Sequence, residues 1–334
     1  MKKNNANLYK AKNRKNDEFY TLYEDIENEL RHYTKDFEDK VIYLNADDPD
    51  QSNFWKYFKN NFNELKLKKL ICTYFKEEEN TRATILTDKV EVSIPLKGNG
   101  DFRSEECIKY LKEADIVITN PPFSLFGEFV DLLKKYNKKF LVIGSKNIVS
   151  KKEIVIPFME GKLWTGVNHG KMSFKTPSGE FETLNNIRWY TNLKNDKENE
   201  FLELTMKYYG NEDFYTEYYN YDAINVDRVK DIPKDYYGEM GVPITFLDIY
   251  NPKQFKILGI SNKCIKTKYD HRRMDDNTIG FFDENNNLLW STEYSIWEAK
   301  AGNSLRLKDK NGNPGKLPYG RVIIKRRNNE LHRK

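Results

Sequence analysis

"DIVITNPPFSLFGEFVDLL", residues 115–133, contains the clearest indication of the fold class in this sequence. The apolar run 116–118 has the character of a buried strand, and from residue 126 onward apolar side chains recur at helical spacing. Between the two lies a turn of one amide, two prolines and one aromatic ring: Asn120, Pro121, Pro122 and Phe123. A strand that leads through a rigid turn into an amphipathic helix predicts an α/β unit with a functional loop at the strand's carboxyl end.

The rest of the first half alternates strand-like and helix-like segments. Predicted strands cover 41–44, 69–75, 115–119 and 139–145, and predicted helices cover 19–33, 52–65, 103–114 and 126–136. Residues 83–96 are predicted to form a pair of short strands or a hairpin. This order predicts a parallel sheet with helices on both faces. Right-handed crossovers then bring the loops after Leu44, Phe75 and Thr119 to the carboxyl edge of the sheet, where open α/β sheets bind ligands.

The second half has a different pattern. Residues 279–290 read as a hairpin with a polar turn, and a Gly/Pro-punctuated turn leads into a strand within 321–327. The polar run 192–200 suits a boundary near residue 195. We therefore expect two domains, 1–195 and 196–334, the second smaller and rich in β-structure.

Charge and composition narrow the function classes. The formal net charge is +5, but residues 256–334 hold 17 Lys+Arg against 9 Asp+Glu, so this segment carries +8 and the remainder about −3. A basic segment of this kind suits a polyanionic partner, because each phosphate contact releases condensed counterions. The sequence holds no apolar run of the ~20 residues that a membrane span requires and no signal-peptide pattern, so we expect a soluble cytoplasmic protein.

The cysteines and histidines do not form a metal-binding pattern. Cys72, Cys107 and Cys264 stand far apart without a CxxC pair, and the four histidines do not complete a zinc site. We expect three reduced thiols and no metal.

The Asn-Pro-Pro-Phe turn suits chemistry on an exocyclic amine of a nucleobase. The lone pair of such an amine is delocalised into the ring, so the nitrogen is a poor nucleophile until acceptors bind its N–H groups. Asn120 offers a side-chain carbonyl and Pro121 a backbone carbonyl, and the prolines fix the backbone that holds both. Phe123 can stack on a base drawn out of the double helix. The alternative for the bare tetrapeptide is a rigid loop with Phe123 in the core.

Six segments carry a family resemblance over roughly residues 16–260. They are "NDEFYTLYEDIENELRHY" (16–33), "NADDPDQSNFWKYF" (45–58), "GNGDFRSEECIKYLKEADIVITNPPFSLFGEFVDLL" (98–133), "VIGSKNIVS" (142–150), "RWYTNL" (188–193) and "YDAINVDRVKDIP…MGVPITFLDIYNP" (221–252). The chain resembles the S-adenosylmethionine-dependent adenine-N6 DNA methyltransferases, specifically the EcoRI-type adenine methylases. The resemblance implies a Rossmann-like class I methyltransferase sheet in a catalytic domain and a smaller, β-rich target-recognition region.

The resemblance also implies roles for particular residues. The turn Asn120, Pro121, Pro122 and Phe123 holds the flipped adenine, and Asn120 also borders the cofactor. The other cofactor-binding residues implied are Tyr20 and Thr21 near the methionine moiety, Asn45, Asp47 and Asp48 in the first loop, and Asp101 and Phe102 at the cofactor adenine. Asp47 or Asp48 is the expected partner of the cofactor's ammonium. Methyltransferases usually carry a glycine-rich first loop, and this chain departs from that pattern because its loop holds no glycine.

The basic second region is the predicted DNA-binding part. Its candidate contacts to phosphates or guanine edges are Lys263, Lys266, Lys268, His271, Arg272 and Arg273. The implied reaction is site-specific transfer of a methyl group to N6 of a flipped adenine in double-stranded DNA, as the modification enzyme of a restriction-modification system. We expect a monomer with no obligate protein partner.

Other functions remain open from the residues alone. An Asn-Pro-Pro turn also serves methylation of cytosine N4, an RNA base or a protein glutamine, and a DNA-binding protein that has lost its cofactor is a further alternative. Cytosine-C5 chemistry is disfavoured because no Pro-Cys pair is in place, and a nuclease because no Asp…Glu-x-Lys constellation is found.

Overall fold

The fold was obtained as a computed structural model. It describes residues 20–77, 81–176, 179–194, 200–218, 221–260, 270–273, 278–282, 287–293, 306–308, 314–316 and 319–327. The chain divides into two compact units, the first built from residues up to 148 and from 163–195, the second from 149–162 and from residue 196 onward. The assignment of catalysis and DNA recognition to separate domains stays a prediction.

The first unit contains eleven strands in the described part of the chain. They are β1 (Tyr20–Thr21), β2 (Val41–Leu44), β3 (Lys69–Cys72), β4 (Arg82–Leu86), β5 (Glu91–Pro95), β6 (Ile116–Thr119), β7 (Lys139–Ser145), β8 (Trp164–Thr165), β9 (Met172–Lys175), β10 (Phe181–Leu184) and β11 (Ile187–Thr191). Eight of them form one sheet in the order β5-β4-β3-β2-β6-β7-β11-β8. The central strands β3, β2, β6 and β7 are parallel, whereas the β4–β5 hairpin and β11 run antiparallel to their neighbours. The predicted α/β fold and the hairpin at 83–96 are confirmed. The sheet is parallel only in its centre: the short connections β3–β4 and β4–β5 return the chain antiparallel at one edge, and at the other edge β11, which follows β8, β9 and β10, pairs antiparallel with β7.

The strand order reverses beside β2, and this reversal locates a crevice. From β2 the chain adds β3, β4 and β5 on one side, and then starts again with β6 on the other side. Such a reversal is the topological switch point, and ligands of open α/β sheets bind outside the carboxyl ends of the strands there. The loops that follow β2 and β6 therefore border the expected ligand site.

Helices cover both faces of this sheet. They are α1 (Tyr23–Leu30), α2 (Thr34–Phe37), α3 (Asn53–Asn60), α4 (Glu105–Glu113) and α5 (Phe126–Lys135). Successive side chains of a strand point to opposite faces: Ile42 and Leu44 belong to the apolar core that includes Phe58 of α3. Tyr43 lies on the other face, its ring 6.3 Å from that of Tyr110 on α4. The predicted arrangement of helices on both faces is confirmed.

A small antiparallel sheet, β1-β9-β10, holds the start of the described chain. Thr21 lies opposite Phe174 of β9, and Tyr20 lies opposite Lys175. The prediction of a helix from residue 19 is wrong at its beginning, since the helix starts at Tyr23 and the two residues before Leu22 form a strand. Pairing with β9, more than 150 positions away in sequence, outweighs the helical periodicity of these residues.

The second unit is rich in β-structure, as predicted. Its elements are α6 (Lys152–Met159), β12 (Ala223–Asn225), β13 (Glu239–Pro243), β14 (Phe255–Ile260), β15 (Asp270–Arg273), β16 (Thr278–Phe282), β17 (Leu288–Glu293), β18 (Arg306–Lys308), β19 (Pro314–Lys316) and β20 (Arg321–Arg326). Strands β12-β13-β20-β14 form one sheet, against which α6 lies at β14, and β15-β16-β17 form a separate meander. The hairpin predicted at 279–290 and the strand within 321–327 are confirmed. Across the described residues of both units, no helix is long and apolar enough to cross a membrane.

Candidate active site

The Asn-Pro-Pro-Phe turn leaves the carboxyl end of β6, as the sequence predicts. Strand β6 is fully buried, and Pro121 is also buried, whereas Asn120, Pro122 and Phe123 are half-buried. The carbonyl of Pro122 accepts a hydrogen bond from the Leu125 N–H (3.0 Å), and the chain continues through this tight turn into α5. The ring of Phe123 rests against the apolar core while part of it stays accessible. The turn is thus held at its exit by the Pro122–Leu125 hydrogen bond, while Asn120, Pro122 and Phe123 keep part of their surface accessible.

Asp47 joins the loop after β2 to the end of β6. Its Oδ2 accepts a hydrogen bond from the Thr119 hydroxyl (2.5 Å), and its Oδ1 accepts one from the Ser52 hydroxyl (2.7 Å). Its backbone N–H donates to the carbonyl of Thr73, directly after β3 (3.1 Å). Asp47 is 8% exposed, and burial raises its pKa to about 6, against the lowering effect of the two hydroxyl hydrogen bonds. Through its carboxyl group and its backbone, Asp47 therefore links the loop after β2 to the ends of β3 and β6.

The segment Tyr20–Thr21 is tied to the same edge through the beginning of α3. The Ser52 hydroxyl caps this helix by accepting from the backbone N–H groups of Phe54 (3.1 Å) and Trp55 (3.2 Å). The next residue, Asn53, donates from its side-chain amide to the carbonyl of Thr21 (2.8 Å). Three segments predicted to bind cofactor or base, 20–21, 45–48 and 120–123, thus meet at the switch point.

The loop after β2 needs no glycine. None of residues 45–52, all of which the structure describes, has a positive φ angle. The loop turns instead through Asp48, whose Oδ1 accepts from the Asp50 N–H (3.0 Å) and whose carbonyl accepts from the Ser52 N–H (2.7 Å). The departure from the glycine-rich pattern therefore follows from a different backbone route into α3.

Two buried polar side chains at this edge fit a ligand. Thr21 is 3% exposed and Asn45 2% exposed. Neither the Thr21 hydroxyl nor the Asn45 amide oxygen and nitrogen has a hydrogen-bond partner among the described residues. Buried polar atoms in proteins nearly always have partners, so these three atoms suit a ligand that presents both donors and acceptors. The amino-acid end of the expected cofactor does so, with its ammonium and carboxylate groups.

The predicted partners of the cofactor adenine lie on the loop before α4. Gly100 directs this loop with a φ of +76°, and Asp101 follows it. Both carboxylate oxygens of Asp101 accept from the Arg103 guanidinium (2.9 Å and 2.6 Å), and this contact lowers the pKa of Asp101. Phe102 is buried, with its ring 5.2 Å from and edge-on to Phe129 of α5. Asp101 is consequently held as an ionised acceptor. The contact that the structure shows for Phe102 is packing against Phe129 of α5.

The predicted DNA-binding cluster is described only in part. Arg272 and Arg273 lie on β15, paired with Gly280 and Ile279 of β16, while Lys263, Lys266 and Lys268 lie outside the described residues. Their contacts with DNA stay a prediction. Within the part of the chain that the structure describes, no group of three or more His, Cys, Asp or Glu side chains is placed to hold a metal ion.

Sequence reasoning missed three residues of this site: Ser52, Asn53 and Thr119. A signal existed for Ser52, because a serine directly before an amphipathic segment is typical of a helix N-cap. Thr119 carries a weaker one, as the polar last residue of an otherwise apolar strand. Nothing in the sequence indicates that Asn53 bonds Thr21, since the contact depends on the tertiary fold.

Comparison with known proteins agrees with this geometry. Residues 7–327 match the family described as "Adenine-specific methyltransferase EcoRI". The chain is 45% identical to the Type II methyltransferase M.EcoRI of Escherichia coli, over 78% of this chain and 94% of that protein. It is 43% identical to M.MgeORF184P of Mycoplasma genitalium and 42% identical to M.MpnI of Mycoplasma pneumoniae, in each case over 78% of this chain and 86% of the relative. A putative RNA methyltransferase from Pyrococcus horikoshii overlaps 49% of this chain and 80% of its own at 16% identity, with a TM-score of 0.27, a likeness too low to support an argument.

Proposed function

Because the chain belongs to the EcoRI family of adenine-specific methyltransferases, we propose that it methylates N6 of adenine in double-stranded DNA and serves as the modification enzyme of a restriction-modification system. Relatives named Type II methyltransferases, up to 45% identical, support the reaction and its setting. The observation that carries the proposal is the meeting of the Asn-Pro-Pro-Phe turn with the polar loop after β2 at the switch point of the sheet.

The turn is the part of the chain that acts on the base. A flipped adenine placed beside it can donate one N6–H to the Asn120 side-chain carbonyl and the other to the Pro121 carbonyl. Binding both hydrogens draws the nitrogen toward tetrahedral geometry and localises its lone pair, and acceptors fixed in advance do so without reorganising during the reaction. The half-buried ring of Phe123 offers a face on which the base can stack.

S-adenosylmethionine is the proposed cofactor, and when bound it supplies an electrophilic methyl group. Asn45 and Thr21 would hold its amino-acid end, because their buried polar atoms are the ones that fit a ligand with both donors and acceptors. Asp48 is the proposed partner of the ammonium, since its side chain is half-exposed whereas both oxygens of Asp47 already accept protein hydroxyls. Asp101, held ionised by Arg103, would accept a hydrogen bond from the cofactor adenine.

DNA is the proposed partner, and one chain is the proposed acting unit. All the residues assigned to base and cofactor belong to the first unit of a single chain, so methyl transfer needs no residue from a second copy. The basic segment 256–334, with its net charge of +8, would contribute phosphate and base contacts.

The proposal is tested by the rate of methyl transfer in an Asn120→Ala variant. Purified protein is incubated with labelled S-adenosylmethionine and mixed-sequence duplex DNA, and cofactor affinity is measured separately by calorimetry. Removing the side-chain acceptor should lower kcat by about 10²–10³-fold and change the cofactor Kd much less. Asn61→Ala is a matched control, because this amide bonds only locally to the Tyr57 carbonyl (2.8 Å). An Asn120→Ala variant as active as wild type would contradict the assignment.

A second measurement separates the enzyme from a DNA-binding protein without catalysis. Asn45→Ala should weaken cofactor binding, and the variant should bind DNA with the same affinity as wild type. If wild-type protein binds DNA but shows no heat of binding with S-adenosylmethionine, the enzymatic proposal fails.

A further inference from the structure

The hydrogen bonds of Asp47 assign it a role that neither the motif nor the family description gives it. We infer that Asp47 is a positioning residue, which fixes the Asn-Pro-Pro-Phe turn through the Thr119 hydroxyl while it fixes the start of α3 through Ser52. The inference rests on the proposed function, because positioning is judged by its effect on methyl transfer at that turn.

Thr119 lies at the entry to the Asn-Pro-Pro-Phe turn. Thr119 is the last residue of β6 and directly precedes Asn120, so its side chain is the nearest one that can hold the turn's entry. Its hydroxyl donates to Asp47 Oδ2 at 2.5 Å, and Thr119 is fully buried. This hydrogen bond joins residues 72 positions apart in sequence, one in the loop after β2 and the other at the end of the neighbouring strand β6.

The other carboxyl oxygen of Asp47 is bonded to the start of α3. Asp47 Oδ1 accepts from the Ser52 hydroxyl (2.7 Å), which at the same time accepts from two N–H groups of α3. Asp47 is further fixed through its backbone, since its N–H donates to the Thr73 carbonyl and its carbonyl accepts from the Cys72 thiol (2.8 Å). The carboxyl group is therefore held from β3 and α3, and it transmits that constraint to the turn.

The strength of the two hydroxyl hydrogen bonds depends on the charge of Asp47. A buried carboxylate binds hydroxyl donors with charge-assisted hydrogen bonds, which are roughly twice as strong as neutral ones. When Asp47 takes up a proton, these bonds become neutral and one hydroxyl must change from donor to acceptor. Ser52 already accepts two N–H groups, so Thr119 is the hydroxyl that turns, and the entry to the catalytic turn loosens.

Titratable groups near Asp47 lie on its own loop and on four of the elements around it. They are Asp48 and Asp50 of the same loop, Tyr43 of β2, Cys72 of β3, Arg82 of β4 and Cys107 of α4. Repulsion from Asp48 adds to the effect of burial on Asp47. Burial holds the pKa of Cys72 and of Tyr43 well above their ordinary values, so both stay neutral near pH 6, and Arg82 is paired with Asp50. Burial brings the pKa of Asp47 to about 6, so its charge changes near that pH.

The experiment compares Thr119→Val with Thr119→Ser and a matched control. Valine keeps the shape of threonine and removes the hydroxyl, whereas serine keeps the hydroxyl. Thr191→Val is the control, because Thr191 is equally buried and its hydroxyl also bonds within the sheet region, donating to the Phe140 carbonyl (2.6 Å) on β7 and accepting from the Leu193 N–H (3.0 Å). We expect Thr119→Val to lower kcat by about 10–100-fold, the effect of a misplaced reacting group, with the cofactor Kd unchanged. Thr119→Ser should restore the rate, and Thr191→Val should keep it.

The pH profile of kcat gives a readout that a merely structural role would not move. In wild type, kcat should fall as the pH drops through about 6, the pKa of Asp47. In Thr119→Val the midpoint should shift to higher pH, because a hydrogen bond that lowers this pKa is gone, and in Asp47→Asn the decline should be absent. An unchanged profile in both variants would overturn the inference.

Hydrogen exchange of the turn tests positioning independently of catalysis. Amide exchange of the peptide that spans residues 120–125 should be faster in Thr119→Val than in wild type and in Thr191→Val. Unchanged exchange refutes the inference even if no DNA is methylated. Conversely, an inactive wild-type protein refutes the proposed function alone, so the two failures are distinguishable.

Discussion

Replacing Gly100 by alanine tests how the loop that carries Asp101 and Phe102 is built. Gly100 has a φ of +76°, which costs an L-residue roughly 1–2 kcal/mol. A Cβ at this position would lie 1.9 Å from the Tyr74 carbonyl oxygen and 2.6 Å from the Thr81 hydroxyl. Because one of these atoms belongs to the backbone, relieving the clash requires the loop to move, at a further cost of about 1–3 kcal/mol. The expected total loss in free energy of unfolding is therefore about 2–5 kcal/mol.

The matched control is Gly179→Ala. Gly179 also has a positive φ, +90°, but no atom lies within 4 Å of an added Cβ. It should lose only the conformational part, about 1–2 kcal/mol. Both glycines belong to the first unit, so urea unfolding of the two variants, followed by tryptophan fluorescence, compares the same cooperative structure.

Cofactor affinity gives the functional half of this prediction. Because the displaced loop carries Asp101, Gly100→Ala should raise the Kd for S-adenosylmethionine measured by calorimetry, and Gly179→Ala should not. Equal stability losses and equal affinities in the two variants would refute the close approach of Gly100 to the Tyr74 carbonyl and, with it, the assigned adenine site.

Three further perturbations have defined outcomes. Folding raises the pKa of Asp47 from 3.8 to about 6, so the stability that its protonated form contributes is fully present below pH 3.8 and is lost as the pH rises through 6. Relative to Asp47→Asn, wild type should therefore lose about 3 kcal/mol of unfolding free energy across that range. Urea unfolding at several pH values measures this loss. Phe54→Ala removes a buried ring that contacts Trp189 edge-on at 5.9 Å, and it should lower the unfolding free energy by about 3–5 kcal/mol in the same assay. A loss no larger than that of an exposed substitution would contradict the burial of Phe54 in the core. Replacing Lys266 and Lys268 by glutamine should reduce the slope of log K against log salt for DNA binding by about 0.9 for each phosphate that the protein no longer neutralises, whereas an unchanged slope would exclude them from the interface.

The site's central motif could be predicted because its signals are local. A buried strand, two prolines and an amphipathic helix lie within residues 115–133, and the confirmed order β6, turn, α5 follows directly from them. The hairpin β4–β5 was predictable for the same reason, since two short strands joined by a polar turn pair with each other.

Long-range pairings could not be predicted in the same way. The bond between Asp47 and Thr119 joins the loop after β2 to the last residue of β6, and β1 depends on β9 for its only described strand partner. No periodicity within residues 19–33 distinguishes a helix beginning at 19 from a strand followed by a helix beginning at Tyr23. Such contacts are decided by the tertiary fold, which local propensity does not contain.

The loop after β2 shows that a missing glycine does not by itself exclude a ligand-binding loop. Glycine in a ligand-binding loop is required where the backbone adopts a positive φ or where a Cβ would obstruct. Between Asn45 and Ser52 the backbone stays at negative φ and turns through the side chain of Asp48. The lack of glycine therefore reflects a different loop, and it does not argue against cofactor binding.

The identity of the methylated nucleoside is the decisive measurement for adenine-N6 methylation. Wild-type protein is incubated with labelled S-adenosylmethionine and duplex DNA, and the DNA is digested to nucleosides that are separated by chromatography. We expect label in N6-methyldeoxyadenosine. Label in N4-methyldeoxycytidine, or no label in DNA although the cofactor binds, would refute this reaction.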